Sequence, residues 1–223
     1  MSTSAFPYLL APGRIGPMEL PNRIIVTAMG VNLAEPGGIC GERIRAFYEE
    51  FARGGAGLVN VGVAGVAWPA GGNIPAQVAI SEDRFIPGIR AMADAVHAHG
   101  AKFALQLHHG GMVAMEDMLA GRPVWTPSLP NAPKGDFTAA FLHEELERAP
   151  FTRIRDVQFR VLTSDDIGLV VEQFAAAAVR ARQAGADGVE IHGGHGYLLS
   201  SFMSARSNPV SYTHLTLPTS DLV

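Results

Sequence analysis

Along this chain, apolar runs bounded by glycine and proline alternate with stretches whose apolar residues recur every three or four positions. PNRIIVTAMG (21–30) carries β-branched residues between Pro-Asn and a glycine, which predicts a buried strand. GERIRAFYEEFARGG (41–55) spaces Ile44, Phe47, Tyr48 and Phe51 as one helical face and stops at Gly54-Gly55. AGLVNVGVAGV (56–66) predicts a second strand, followed by the Gly/Pro-rich loop WPAGGNIP (68–75). PGIRAMADAVHAHG (87–100) predicts a helix with Pro at its start, Gly100 past its end, and Ile89, Met92, Ala93 and Val96 on one face. AKFALQL (101–107) is a third strand. Segment 108–162 is irregular, with five prolines and a charged patch at HEELER (143–148), and is expected to be an excursion above the core. TSDDIGLVVEQFAAAAVRARQAG (163–185) gives the clearest helix. Thr163 caps it with Asp166 as an imperfect capping-box partner, and Ile167, Val170, Val171, Phe174, Ala178 and Ala181 form the expected buried stripe. ADGVEI (186–191) is a fourth strand.

Near-continuous apolar strands alternating with amphipathic helices indicate a parallel sheet covered by helices, hence an α/β fold. A TIM barrel and a doubly wound open sheet both fit. No G-x-G-x-x-G stands between a strand and a helix, which counts against a dinucleotide-binding open sheet. Polar groups cluster just past strand ends, at Met29-Gly30, Gln106 to His109 and His192 to Tyr197, where TIM barrels place their active sites. The barrel is therefore preferred. It needs eight strands and typically ~250 residues, whereas four strands are visible by residue 191. Four strands leave two open edges, so the expectation is a TIM (β/α)8 barrel represented by its first four strand–helix units.

Composition narrows the classes further. The 223 residues are 48% hydrophobic and 17% charged, enough for one domain with a real core or most of one. A net charge of −4 favours neither nucleic acid nor an anionic membrane as partner. The single cysteine, Cys40, excludes an internal disulfide and fits a reducing compartment. MSTSAFPYLL is a poor signal peptide, and no stretch reaches the ~20 apolar residues of a membrane span. These features lead to the expectation of a cytoplasmic protein. Oligomeric state is left open, a homo-oligomer included.

NRIIVTAM (22–29), AKFALQLHHGG (101–111) and ADGVEIHGGHGYLLSSFMS (186–204) resemble the flavin-binding barrel of the Old Yellow Enzyme family, which includes NADH:flavin oxidoreductases and 2,4-dienoyl-CoA reductases. The third motif is the most specific, and the resemblance spans roughly residues 8–208. It implies an FMN across the barrel mouth and NAD(P)H as reductant. The implied substrate is a small activated alkene: an enone, an enoate or an enoyl thioester. Any iron–sulfur cluster of the dienoyl-CoA branch would lie beyond this chain. Gln106 ends a strand, and its amide offers the donor and the acceptor that a flavin pyrimidine edge needs; otherwise it is a strand-end group bonded to backbone.

Ala28, Met29 and Gly30 fall where the family passes beneath the ring, although Ala28 replaces the usual Pro and Gly30 the usual Thr or Cys. Val63 stands where the family has Ala or Gly. His109 matches the histidine of Q-L-x-H-x-G-R, while Met112 replaces its arginine. Trp68 and Trp125 are expected to pack loops rather than stack on a ligand.

His192 and His195 follow a strand end, where each can donate an N–H to a substrate oxygen as negative charge develops. Two such bonds of about 1.5–3 kcal/mol each would give roughly 10² to 10⁴ in rate. Tyr197 is placed to protonate the other alkene carbon. Two other readings stand beside this one. His192-x-x-His195 next to Glu190 could serve a metal-dependent TIM-barrel lyase or hydrolase, or the imidazoles could be structural in an inactive, truncated chain. Past SARSN (204–208), VSYTHLTLPT resembles translated adaptor sequence, so 1–209 reads as a partial FMN-binding barrel domain and 210–223 as a non-native tail. The phosphate-binding groups of the family would lie further on, and the chain as given is expected to hold FMN weakly or not at all.

Overall fold

The fold is a computed structural model that describes residues 5–129 and 157–209. The HEELER segment and everything from residue 210 onward, the string read as non-native included, lie outside the described residues.

A short antiparallel hairpin opens the fold: β1 (Gly13–Ile15) pairs with β2 (Met18–Leu20). Its three-residue strands are too short for a period-2 pattern to show, so the hairpin was not legible in the sequence. β3 (Ile25–Val26) follows, far shorter than the expected 21–30, with only an isolated bridge from Gly30 to Gly62 continuing its direction. Helix α1 (Glu42–Arg53) leads to β4 (Leu58–Gly65), all eight residues of which are buried. β5 (Val78–Ala79), α2 (Ile86–His97) and β6 (Lys102–His108) come next. A short α3 (Met115–Leu119) and a parallel pair, β7 (Val124–Thr126) and β8 (Phe159–Val161), form part of the excursion. The chain returns through α4 (Ser164–Gln183), β9 (Gly188–Ile191) and α5 (Leu198–Met203).

β3, β4, β6 and β9 lie side by side in that order, all parallel, with β5 added alongside β4. This is the expected strand–helix progression of a partial barrel. Strand alternation gives the sheet two chemically different faces. Val59, Val61, Phe103, Leu105 and Leu107 point to the helices and join Ile44, Tyr48, Ile89, Met92, Val96, Ala177 and Ala181 in one core. The other face begins apolar, where Leu20 of the hairpin packs on Leu58 and Ala104. It then becomes polar toward the strand ends at Asn60, Gln106 and Glu190.

The α4 stripe departs from expectation. Val170, Ala177 and Ala181 are buried and Phe174 and Ala178 half-buried, but Ile167 and Val171 are 39% and 62% exposed. The helix meets the sheet and α2 along one narrow band, so the flank of its apolar arc has nothing against it among the described residues. Its start is better built than expected: Thr163 Oγ1 accepts from the Asp166 N–H at 3.2 Å and Asp166 Oδ2 accepts from the Thr163 N–H at 3.0 Å, a complete capping box.

Candidate active site

The polar groups lie at the carboxyl ends of β4, β6 and β9. The floor is made of backbone and small side chains. Gly62 lies so close to Ala28 that a Cβ on it would stand 2.5 Å from the Ala28 Cβ and 3.2 Å from Gln106 Oε1. Gly30 bridges to Gly62, and Met29 presents its carbonyl to Tyr48 Oη at 3.0 Å. Tyr48 is fully buried on α1 and its phenol is pushed up to about 12, chiefly by burial, so it is a fixed donor tying α1 to the floor. Its helical spacing marked it only as core. Val63 is buried where the β4–β6 register shifts.

Gln106 is directly opposite Glu190 in the β6–β9 register. Its Nε2–H donates to Glu190 Oε1 in a short hydrogen bond, and Asn60 Nδ2–H donates to Glu190 Oε2 at 2.9 Å. One end of the Gln106 amide is therefore fixed and its oxygen is turned over Gly62. Both carboxylate oxygens of Glu190 are engaged away from the imidazoles. Among the described residues no group of three or more His, Cys, Asp or Glu is placed to hold a metal ion, so the metal reading lacks a third ligand there.

His192 and His195 meet, but in series. The Gly194 N–H donates to His192 Nδ1 at 3.2 Å, and His192 Nε2 stands 3.2 Å from His195 Nδ1. A backbone N–H can only donate, so neutral His192 carries its proton on Nε2 and gives it to His195 Nδ1. That leaves His195 Nε2–H as the outward donor. Partial burial first, then the neighbouring His195, holds His192 below the usual histidine range, against the pull of Glu190. His195 adopts φ 57, a left-handed conformation uncommon for a non-glycine residue.

Tyr197 stands between two imidazole edges. Its ring is edge-on to His108 at 4.4 Å and to His192 at 4.7 Å between centroids. Burial raises its phenol above the ordinary value. Its oxygen accepts from Asn73 Nδ2–H at 2.6 Å. Asn73, 124 residues earlier in sequence, carried no signal in its own loop.

His108 and His109 are buried. Burial, then repulsion from His192 and His109, pushes His108 down to about 3, and burial pushes His109 down to about 4. Both are neutral at pH 7. The floor of Gly71 lies against the His109 ring, where φ is +69 and a Cβ would come within 2.8 Å of three ring atoms. Trp125, in β7, packs on His109 at 5.2 Å and Arg160 sits over its ring at 5.5 Å.

Gln106, His192, His195 and Tyr197 thus share one rim over a floor from which side chains have been pared back. Residues 8–211 match the NADH:flavin oxidoreductase / NADH oxidase family. The chain belongs to this family. It is 36% identical to the NADH oxidase of Thermoanaerobacter brockii over 204 residues, covering 91% of this chain and 28% of that protein. It is 32% identical to the NADPH dehydrogenase of Halalkalibacterium halodurans, covering 86% of this chain and 49% of that one. Among solved structures, the Old Yellow Enzyme homologue from Zymomonas mobilis superposes with a TM-score of 0.73 at 28% identity, covering 92% of this chain and 54% of the other. The chain therefore spans from just over a quarter to about half of these relatives' length, and its sheet is part of the barrel they contain.

The floor suits the flavin that this family implies. A planar ring needs backbone and small groups beneath it and a mixed donor–acceptor edge beside it. Ala28, Gly30 and Gly62 are small groups of the first kind, and Gln106 Oε1 over Gly62 is an acceptor of the second kind.

Proposed function

We propose that this chain contributes the substrate rim and flavin floor of an FMN-dependent oxidoreductase that reduces activated alkenes with NAD(P)H. The observation that carries the reading is the phenol of Tyr197, held between His108 and His192 on the rim shared with Gln106. The chemistry that FMN supplies when bound is hydride transfer, from NAD(P)H to the flavin and from it to the alkene β-carbon. Ala28, Met29, Gly30 and Val63 would lie beneath the ring, and the Gln106 oxygen would accept from its pyrimidine edge.

The remaining steps belong to the protein. The alkene is activated by a carbonyl or nitro oxygen, which gains negative charge as the β-carbon accepts hydride. His195 Nε2–H donates to that oxygen, and His192 holds His195 in the tautomer that can donate. One such bond, strengthened in the transition state by about 1.5–3 kcal/mol, contributes roughly 10- to 10²-fold in rate. A second donor requires His192 to leave His195, so the pair acts first as a relay. Tyr197 delivers its proton to the α-carbon, and solvent returns a proton to the tyrosinate.

The experiment is anaerobic reduction of the flavin-loaded protein by NADH or NADPH, followed by an enone. Recovery of the oxidised flavin bands with formation of the saturated ketone is expected. In Tyr197→Phe, reduction by NAD(P)H should persist while reoxidation by the enone slows roughly 10²- to 10⁴-fold. Flavin that is never reoxidised by enone, enoate or enoyl thioester would sink the proposal.

A further inference from the structure

A phenol oxygen has one proton and room for two hydrogen bonds to its lone pairs. At Tyr197 one of those is taken: Asn73 Nδ2–H donates to Oη at 2.6 Å. The phenolic proton cannot also point along that line, so it turns to another direction.

Asn73 is itself held in place. Its backbone N–H donates to Gln77 Oε1 at 2.8 Å. Gln77 is 1% exposed, and its Nε2 lies 3.4 Å from His108 Nδ1. His108 is fully buried and returns to Tyr197 through its edge-on ring. Tyr197, Asn73, Gln77 and His108 therefore form a closed circuit that joins the loop after β4 to the ends of β6 and β9. The loop is pinned independently at both ends. The Gly71 N–H donates to Asp117 Oδ2 at 2.7 Å, and the Ala76 N–H to Asn32 Oδ1 at 2.7 Å.

We propose that Asn73 is a positioning residue for Tyr197: its amide N–H directs the phenolic proton toward the mouth and stabilises the phenolate left once that proton has gone. The inference deepens the reading of Tyr197 as proton donor and rests on it. A donor aimed at Oη favours the charged form and so opposes the upward push that burial exerts on this phenol.

The sign makes the idea testable without turnover. The full chain, labelled with [13Cζ]tyrosine, gives four tyrosine signals, and Tyr197→Phe identifies the one from Tyr197. In Asn73→Leu the Tyr197 pKa should rise by about 1–2 pH units, the loss of one hydrogen bond to a charged group. In Asn73→Asp, which is isosteric and so guards against a folding artefact, a carboxylate should raise it at least as far. An unshifted Tyr48 signal checks the core in both variants. A Tyr197 pKa that stays put or falls in Asn73→Leu overturns the inference, whatever Tyr197→Phe does. A rise in Asn73→Leu together with unimpaired enone reduction by Tyr197→Phe overturns the proton-donor reading, and the inference with it. A rise together with slowed enone reduction in both Tyr197→Phe and Asn73→Leu is the expected result.

Discussion

At the scale of single residues, the buried imidazoles dominate. An exposed histidine in the unfolded chain titrates near 6.5, whereas His108 and His109 are pushed down to about 3 and about 4. Below pH 6.5 the unfolded chain therefore binds protons that the folded chain refuses. Their stabilising contribution is complete above about pH 6.5 and is lost as pH falls toward 4. Each group costs about 1.4 kcal/mol per pH unit in that window. Urea unfolding at pH 7 and pH 5 should show a drop of several kcal/mol; equal stabilities would mean the rings are reached by protons in the fold. Two carboxylates act in a lower window. Partial burial works to raise Asp187, but Lys102, the Phe103 N–H and His97 outweigh it and hold it below its usual range. The Thr163 N–H and hydroxyl, with Arg160, do the same for Asp166. Their contributions disappear only below about pH 4.

At the scale of elements, α4 is instructive. Thr163 was legible as its cap because capping is a local event, settled within three residues. Thr163→Ala should cost about 1 kcal/mol, measured by thermal or urea unfolding; a change within ±0.3 kcal/mol would show that packing of Val170 and Ala177 alone fixes the helix start. The same local logic misplaced Ile167 and Val171. Periodicity tells which residues share a face but not how wide a neighbour covers that face. Likewise, Tyr48 was legible as a buried position on α1, yet its hydroxyl role toward Met29 depends on how α1 lies across β4. The β1–β2 hairpin left no signal because each strand has three residues.

At the scale of the whole molecule, the sheet has a centre and two flanks. β4 and β6 are paired on both sides, and β3 and β9 stand at the ends of the described strand order. β4 is buried throughout, whereas Val189 and Ile191 of β9 are 39% and 48% exposed. Amide exchange should therefore be slowest in β4 and β6 and at least roughly tenfold faster in β9; equal protection across the four strands would mean that β9 is covered on its free side in solution. Protection bears on the site too, because His192 continues the ladder from β9 by donating its N–H to Leu107 O at 3.0 Å. The imidazole pair is thus mounted on the less protected flank, and Gln106 on the centre.

The main strand–helix alternation, the parallel sheet and the family were legible in the sequence alone, since hydrophobic period, turn residues and short motifs are properties of neighbours along the chain. Gln106, His192 and Tyr197 announced themselves because each closely follows or ends an apolar strand. The tertiary structure decided who touches whom. It turned Glu190 to Gln106 and Asn60, put the two imidazoles in series, and brought Asn73 to Tyr197. The imidazoles are neighbours three residues apart, but the partners of Glu190 and Tyr197 lie 84 to 130 residues away, and no local pattern encodes a contact that exists only after the strands have been laid side by side.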